Sequence, residues 1–426
     1  MRFLLSITVL LFATTGFAKK LSDYTPYEWD VRFTNPTCAT YEYDEPIKSR
    51  SGKLLTEKPK NAYCSRRDAK RSGARKSSPQ YKMLEWINDP NTTEIFFTFL
   101  SFSNGTIQEA LCDAIIERDV KVTFVLDSGT DLSRANKLLA CKASEEHLNP
   151  ELHLRGHVSG MGYAHNKIVI INPNSEDEIK ISFGSANMSS GIVLHHENWH
   201  FVTTSVESYF AQAHLCVMNA EIDHAESGRQ FRGFMKRCLG NIDSPEESDV
   251  KLFFVPGQGK EATAQIEKAL GWASEVKLAA HRFSYTRLIE SLKEGLRNKD
   301  YKLKLVFDDD LFWVAHERGL ERPNNRAEYR KAESLMKLGA TARYIETNHK
   351  VRLLHHNKFM VFKKGKRRAA FFGAGNFTGT AFSTNLENFY YVTIPEVTGA
   401  MDKQHDHLYY KLGTAEGDLP RVQTAP

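Results

Sequence analysis

His165-Asn166-Lys167, followed by Gly184-Ser185-Ala186-Asn187, is repeated as His356-Asn357-Lys358, followed by Gly373-Ala374-Gly375-Asn376. The doubled phrase supplies two imidazoles, two ammonium groups and two amides. A phosphodiester resists hydrolysis because the attacking group meets an anion and the leaving alkoxide is poor. A neutral imidazole can attack phosphorus and form a covalent phospho-histidine. A second, protonated imidazole can hand its proton to the leaving oxygen. Lysines and asparagine amides can hold the non-bridging oxygens and offset charge in the transition state. This chemistry requires neither metal nor cofactor. A lone His-x-Lys is too common to carry information. Two copies with matched Gly-x-x-Asn trailers point to one site built from both.

The repeat extends outward from these phrases. Glu94 to Leu100 reads as a strand, followed by Phe102-Ser103, an amphipathic stretch (Ile107, Leu111, Ala114, Ile115) and a second strand ending at Asp127. Val276 to Ala280, Phe283-Ser284, a helical stretch (Leu288, Ile289, Leu292, Leu296) and a strand ending at Asp308 repeat that order. Alternating strand and helix patterns of this length predict βαβ units and α/β layering. Each His-x-Lys opens an apolar strand, Ile168–Ile171 or Phe359–Phe362. A polar hairpin and a returning strand then deliver the Gly-x-x-Asn. His, Lys and Asn are therefore expected at adjacent strand ends on one sheet edge, with His and Lys on the same face.

The chain has 426 residues, 41% hydrophobic and 26% charged, the balance of a soluble globular protein with room for two domains. Arg2, the apolar run Phe3 to Phe12 and the small residues around Gly16-Phe17-Ala18 read as a signal peptide cleaved after Ala18. No later stretch reaches the ~18 apolar residues of a membrane span. The expected location is outside the cytoplasm, periplasmic or secreted. The six cysteines all lie in the first 238 residues. Sequential pairing, 38–64, 112–141 and 216–238, is the first of many possible connectivities in an oxidising compartment. Lys48 to Lys76 holds eleven Lys or Arg against Glu57 and Asp68 and reads as a long basic surface loop. With the cluster Lys363, Lys364, Lys366, Arg367 and Arg368, it suits a polyanion: nucleic acid or an anionic membrane surface.

These residues resemble the phospholipase D superfamily, whose signature is His-x-Lys, four residues, Asp, then Gly-Ser/Gly-x-Asn, usually present twice. The resemblance spans about 94 to 204 and 275 to 394. It implies two pseudo-twofold-related α/β lobes, each a mixed sheet flanked by helices, sharing one active site. By position His165 resembles the nucleophile and His356 the general acid. Lys167, Lys358, Asn187 and Asn376 resemble the phosphate-binding set, and Ser185 the motif serine, where the second copy has Ala374. Glu197 and Glu387, after the two Gly-x-x-Asn phrases, resemble carboxylates that orient a catalytic imidazole. The motif aspartate is replaced by Asn172 in the first copy and Lys363 in the second.

His196-Glu197-Asn198-Trp199-His200 also spells the zincin pattern, which works only on a helix. The matching stretch Leu386 to Ile394 is strand-like, and four strand residues would hold the histidines about 13 Å apart. Asn-x-Ser/Thr occurs at Asn91, Asn104, Asn187 and Asn376, two of them in the expected site, which argues against glycan acceptors. His355 is expected to face away from His356.

The expected organisation is a signal peptide (1–18), an aromatic and basic N-terminal extension (19–90) and two phospholipase D-like domains (91–240 and 241–426). The expected function is an exported monomeric phosphodiesterase acting on a phospholipid head group. A nuclease of the same superfamily and an inactive polyanion-binding module are the alternatives.

Overall fold

Alternation of apolar residues decides which segments pair and how deeply they are buried. A computed structural model describes residues 27–36, 41–43, 62–64, 66–142, 149–243, 248–312, 327–346 and 353–419. The expected signal peptide, Cys38 and most of the basic run before Arg66 lie outside the described residues. The first sheet contains β1 (Glu28–Thr34), and a separate two-stranded ribbon is formed by β2 (Tyr41–Tyr43) and β3 (Ala62–Cys64). The first sheet continues with β4 (Glu94–Phe99), β5 (Lys121–Asp127), β6 (Glu151–Arg155), β7 (Ile168–Ile171), β8 (Glu178–Gly184) and β9 (Glu197–Ser205). The second contains β10 (Val250–Val255), β11 (Glu275–Ala280), β12 (Lys302–Asp308), β13 (Thr341–Ile345), β14 (Lys358–Lys364), β15 (Arg367–Gly373) and β16 (Glu387–Val392).

The strand orders are β1-β9-β8-β7-β4-β5-β6 and β10-β16-β15-β14-β11-β12-β13, the same topology twice. In each sheet two parallel pairs (β4 with β5, β5 with β6; β11 with β12, β12 with β13) join an antiparallel remainder. The sheets are therefore mixed. Helices Gly105–Arg118 and Thr286–Asn298 make the parallel crossovers. The N-terminal strand β1 pairs with β9 just as β10 pairs with β16, so the aromatic segment around Trp29 is an edge of the first sheet.

Period-two patterning assigns the two faces of every central strand. Ile168, Ile170, Ile181, Phe183 and Val202 on one sheet meet Phe359, Val361, Ala370, Phe372 and Tyr390 on the other in one buried cluster. Phe183 stacks on Tyr390 with centroids 4.0 Å apart, and His200 stacks on Phe372 at 4.1 Å and 5°. The opposite faces pack outward: Val169, Ile171 and Phe97 against helix Gly105–Arg118, and Met360, Phe362 and Phe371 with Leu288 and Leu292 of helix Thr286–Asn298. The two lobes thus share a core, which makes their relative orientation a packing requirement.

Cys112 pairs with Cys141 and Cys216 with Cys238, as sequential pairing requires. The proposed 38–64 pair involves Cys38, outside the described residues. The reading of Lys48–Lys76 as a loop needs correction at its end, because Arg66–Gly73 is a helix. Basic residues spaced around a helix stay solvated without breaking it, and composition alone does not reveal that. Among the described residues no helix is long and apolar enough to cross a membrane.

Burial has a thermodynamic consequence for the histidines of this shared core. Burial lowers His200 to about 3 and His214 to about 4. Trp29 Nε1 donates to His200 Nδ1 at 3.1 Å, while His214 bonds Phe210 O at 2.7 Å and the Tyr390 hydroxyl at 2.8 Å. Both are neutral when folded and take a proton near pH ~6.5 when unfolded. Below that pH the unfolded state binds more protons, so stability falls as pH drops towards 4. Each histidine is expected to cost about 2 kcal/mol at pH 5. Melting temperatures recorded from pH 7.5 to 5.0 should fall steadily, and a flat profile would contradict the neutral assignment.

Candidate active site

Both His-x-Lys phrases sit at the mouth between the sheets because each is fixed twice, once by its own lobe and once by the other. Within each lobe a buried aspartate at the end of a parallel strand holds the backbone just before the histidine. Asp127 Oδ2 accepts from Ala164 N at 2.8 Å, and Asp308 Oδ2 accepts from His355 N at 2.7 Å. Between lobes, His165 N donates to Leu386 O at 3.0 Å and Leu386 N to Tyr163 O at 2.9 Å. The counterpart bridge runs from His356 N to His196 O at 3.0 Å and from His196 N to Leu354 O at 2.8 Å. Each histidine segment is therefore bridged to the segment that carries the other lobe's glutamate.

The carboxylates are crossed accordingly. His165 Nδ1 lies 2.7 Å from Glu387 Oε2, and His356 Nδ1 lies 2.8 Å from Glu197 Oε1. Both glutamates are buried. A carboxylate on Nδ1 fixes the ring and reserves Nε2 for chemistry. Gly184 and Gly373 make the close crossing of neighbouring strands possible. A Cβ there would meet Asn198 O at 2.2 Å or Asn388 O at 2.1 Å. The glycine of Gly-x-x-Asn is thus required by backbone packing.

Both lysines are buried, and their ammonium groups reach back to the phrase itself. Lys167 Nζ donates to His165 O at 2.9 Å, and Lys358 Nζ to His356 O at 2.6 Å and Ser185 O at 3.2 Å. Burial lowers Lys167 to about 8 and holds Lys358 well below its ordinary value. Burial also lowers His165, with Glu387 opposing and Lys167 assisting. His356 is held well below its ordinary value by burial, then by Lys358, His195, Lys167 and His165. The mutual influence of these groups marks one cluster. A bound anion would favour the charged forms of these groups. Asn187 Oδ1 and Asn376 Oδ1 are buried without hydrogen-bond partners, and in each amide Nδ2 is the end that can donate to an anion.

Contacts bring His165, Lys167, Ser185, Glu197, His356, Lys358 and Glu387 together, with a difference between the copies. Ser185 Oγ donates to Glu197 Oε2 at 2.5 Å. Ala374 cannot do this for Glu387, and Asn385 Nδ2 donates to Glu387 Oε1 at 3.0 Å instead. At the position matching Asn385, the first copy has His195, whose Nδ1 lies 3.4 Å from Glu197 Oε1. The sequence reading missed His195, Asn385 and His281, whose ring centroid is 4.9 Å from that of His356. It also passed over the repeated Asn198 and Asn388. Asn198 Nδ2 donates to Asn357 Oδ1 at 3.0 Å, and Lys167 N donates to Asn388 Oδ1 at 3.0 Å, both across the lobes. The duplicated Glu-Asn dipeptide was the available signal.

The missing motif aspartates are explained by location. Asn172 closes the far end of β7, where its Oδ1 accepts from Thr93 N at 2.9 Å and Glu94 N at 3.1 Å and its Nδ2 donates to Asn91 O at 2.8 Å. Lys363, near the far end of β14, pairs with Asp402 at 3.0 Å and Glu275 at 3.3 Å. Both positions stabilise the sheet and neither reaches the histidines.

The zincin pattern fails as expected. Glu197–Ser205 is a strand, His200 is stacked in the shared core and His196 Nδ1 lies 3.4 Å from Asn35 Oδ1. His355 is fully buried away from the cleft, and burial holds it well below its ordinary value.

The topology and crossed site define a two-lobed α/β protein with one composite His/Lys/Asn centre. Residues 263–409 match the family described as "Cardiolipin synthase, PLD-like domain". The phosphatidylserine synthase of Haemophilus influenzae is similar in structure, with a TM-score of 0.55 at 12% identity, covering 80% of this chain and 85% of that one. Nuc of Salmonella typhimurium, a phospholipase D family member, is 18% identical over 39% of this chain and 96% of its own, with a TM-score of 0.30. A mutant yeast tyrosyl-DNA phosphodiesterase is 10% identical over 73% and 86%, with a TM-score of 0.46. No curated protein sequence matches the chain. The family match lies in the second half of the chain, and the likeness of fold to the Haemophilus synthase extends over both lobes.

The remote role of Asn172 has a direct check. Asn172→Ala strands several backbone groups and should cost about 1–3 kcal/mol in denaturant unfolding. Phosphodiester turnover at 25 °C should stay unchanged. A loss of turnover with intact stability would place this residue in the chemistry.

Proposed function

We propose that the chain is an exported phosphodiesterase that hydrolyses a phospholipid head-group bond through a covalent phospho-histidine. The observation that carries this reading is the crossed pair of imidazole–carboxylate contacts, His165 with Glu387 and His356 with Glu197. Burial lowers both imidazoles, which suits His165 as a nucleophile with a free Nε2 lone pair, and His356 takes up its proton when the anionic phosphodiester binds beside it. His165 Nε2 attacks phosphorus, and the bond to the leaving oxygen breaks as His356 Nε2 gives it a proton. Water then attacks phosphorus, its proton passes to His356 Nε2, and the bond from phosphorus to His165 Nε2 breaks to free the ring. Lys167, Lys358, Asn187 and Asn376 hold the non-bridging oxygens. Glu387 and Glu197 orient the rings, and Ser185 orients Glu197. The units 91–240 and 241–426 each supply half of this site and work only together.

The lipid assignment draws on two supports. The matched family and the Haemophilus structure carry lipid-synthase names. Val158 and Tyr163, on the segment leading into His165, expose apolar surface. Export is supported by two disulfides among the described residues and by the signal-like N-terminus. Nuclease activity is the second reading, favoured by the basic Lys48–Lys76 run.

His165→Ala should abolish turnover, and His356→Ala should lower it by at least about 10²-fold. Glu387→Ala should cost two or more orders of magnitude by freeing the His165 ring. Activity should persist in excess EDTA. Phosphatidylcholine and plasmid DNA, offered side by side, separate the substrates. Choline release without nicking supports the lipid reading, and nicking alone replaces it with the nuclease.

A further inference from the structure

The zinc pattern written in the sequence does not assemble, yet its glutamate lies in a different set of zinc-type donors. His195 Nδ1 is 3.4 Å from Glu197 Oε1, and His356 Nδ1 is 2.8 Å from the same oxygen. One ligand atom from each of the three residues lies within 4.8 Å of the others. Tetrahedral zinc, with bonds of about 2.0–2.1 Å, holds its ligands about 3.3 Å apart. The observed separations bracket that value. His356 comes from the second lobe, so the set exists only when both lobes are in place. His195 and Glu197 are two positions apart, but His356 lies 159 positions beyond Glu197, which is why no motif spells the set.

We propose that His195, Glu197 and His356 form an inhibitory binding site for a zinc-type divalent cation. Two imidazoles and one carboxylate are borderline donors that suit zinc, cobalt, nickel or copper. Magnesium and calcium prefer all-oxygen shells and are excluded by this donor set. Glu197 is fully buried, while the His195 side chain keeps 17% of its surface exposed and offers an entry side. The metal takes the two Nδ1 atoms as neutral donors, so a proton leaves any Nδ1 that carries one. It also takes the Glu197 oxygen that orients His356.

The molecule contains its own control. The equivalent triad of the other half is Asn385, Glu387 and His165, in which a neutral amide replaces the imidazole. Asn385 donates its Nδ2 hydrogen to Glu387 and presents no imidazole lone pair to a cation. Only one of the two half-sites can therefore bind the metal. The inhibitory consequence rests on the proposed role of His356, whereas metal binding itself does not.

The full-length protein, stripped with EDTA and dialysed, should be titrated calorimetrically with zinc chloride and, separately, with magnesium chloride. Zinc should bind one to one, and magnesium should give no heat. His195→Asn, which copies the other half-site, should weaken zinc binding at least tenfold. Loading wild-type protein with cobalt(II) should give the visible absorption of a tetrahedral site, a readout that needs neither a variant nor a substrate. Turnover of a chromogenic phosphodiester should fall on adding zinc and recover with EDTA. Equal zinc binding by wild type and His195→Asn, or no tetrahedral cobalt spectrum, overturns the site. Intact binding without loss of turnover keeps the site but removes its inhibitory role. A protein with no phosphodiesterase activity that still shows the cobalt spectrum would instead count against the proposed reaction.

Discussion

Each site histidine takes its carboxylate from the opposite lobe, and the rest of the structure serves that exchange. An imidazole aimed at phosphorus needs its ring plane, tautomer and depth held together, and a buried carboxylate on Nδ1 does all three. Crossing the carboxylates makes each half insufficient. Glu387 cannot reach His165 unless the second sheet sits at the right distance and angle. That requirement accounts for the shared core, in which Phe183, Tyr390, His200 and Phe372 stack across the lobes. It also accounts for the backbone bridges beside both histidines, which fix position along the strand direction while the rings fix the spacing.

The electrostatics of the centre follow from the same packing. Burying two lysines and two histidines together is costly, and the costs appear as lowered proton affinities throughout the cluster. Glu197 and Glu387 offset part of that cost for the lysines, and a bound anion would favour the charged forms further.

Much of this was legible in the sequence because it was written twice. The central strands, crossover helices, histidines and lysines were recoverable from repeat and periodicity, whereas the outer strands Glu28–Thr34, Glu151–Arg155, Val250–Val255 and Thr341–Ile345 were not. What the sequence did not disclose was pairing across the repeat, because nothing in the linear order says which glutamate serves which histidine. The conserved interval ending at Asp127 and Asp308 was visible, but not that both aspartates hold the backbone before the histidine. Asn172 and Lys363 looked like defects in a catalytic phrase. Their contacts show that this position terminates a strand, so a neutral amide in one half and an ammonium in the other can each find partners there. The helix Arg66–Gly73 escaped notice because charge composition hides helical periodicity.

Ser185 against Ala374, and His195 against Asn385, show what joining both halves in one chain permits. A symmetric pair of identical subunits would have to carry the same side chain at both places, so any gain at one histidine would be imposed on the other. Here the two acids are supported by different neighbours, a hydroxyl and an imidazole for Glu197 and an amide for Glu387. Covalent linkage has released the two imidazoles from identity, and their two surroundings can be inherited as separately adjustable traits.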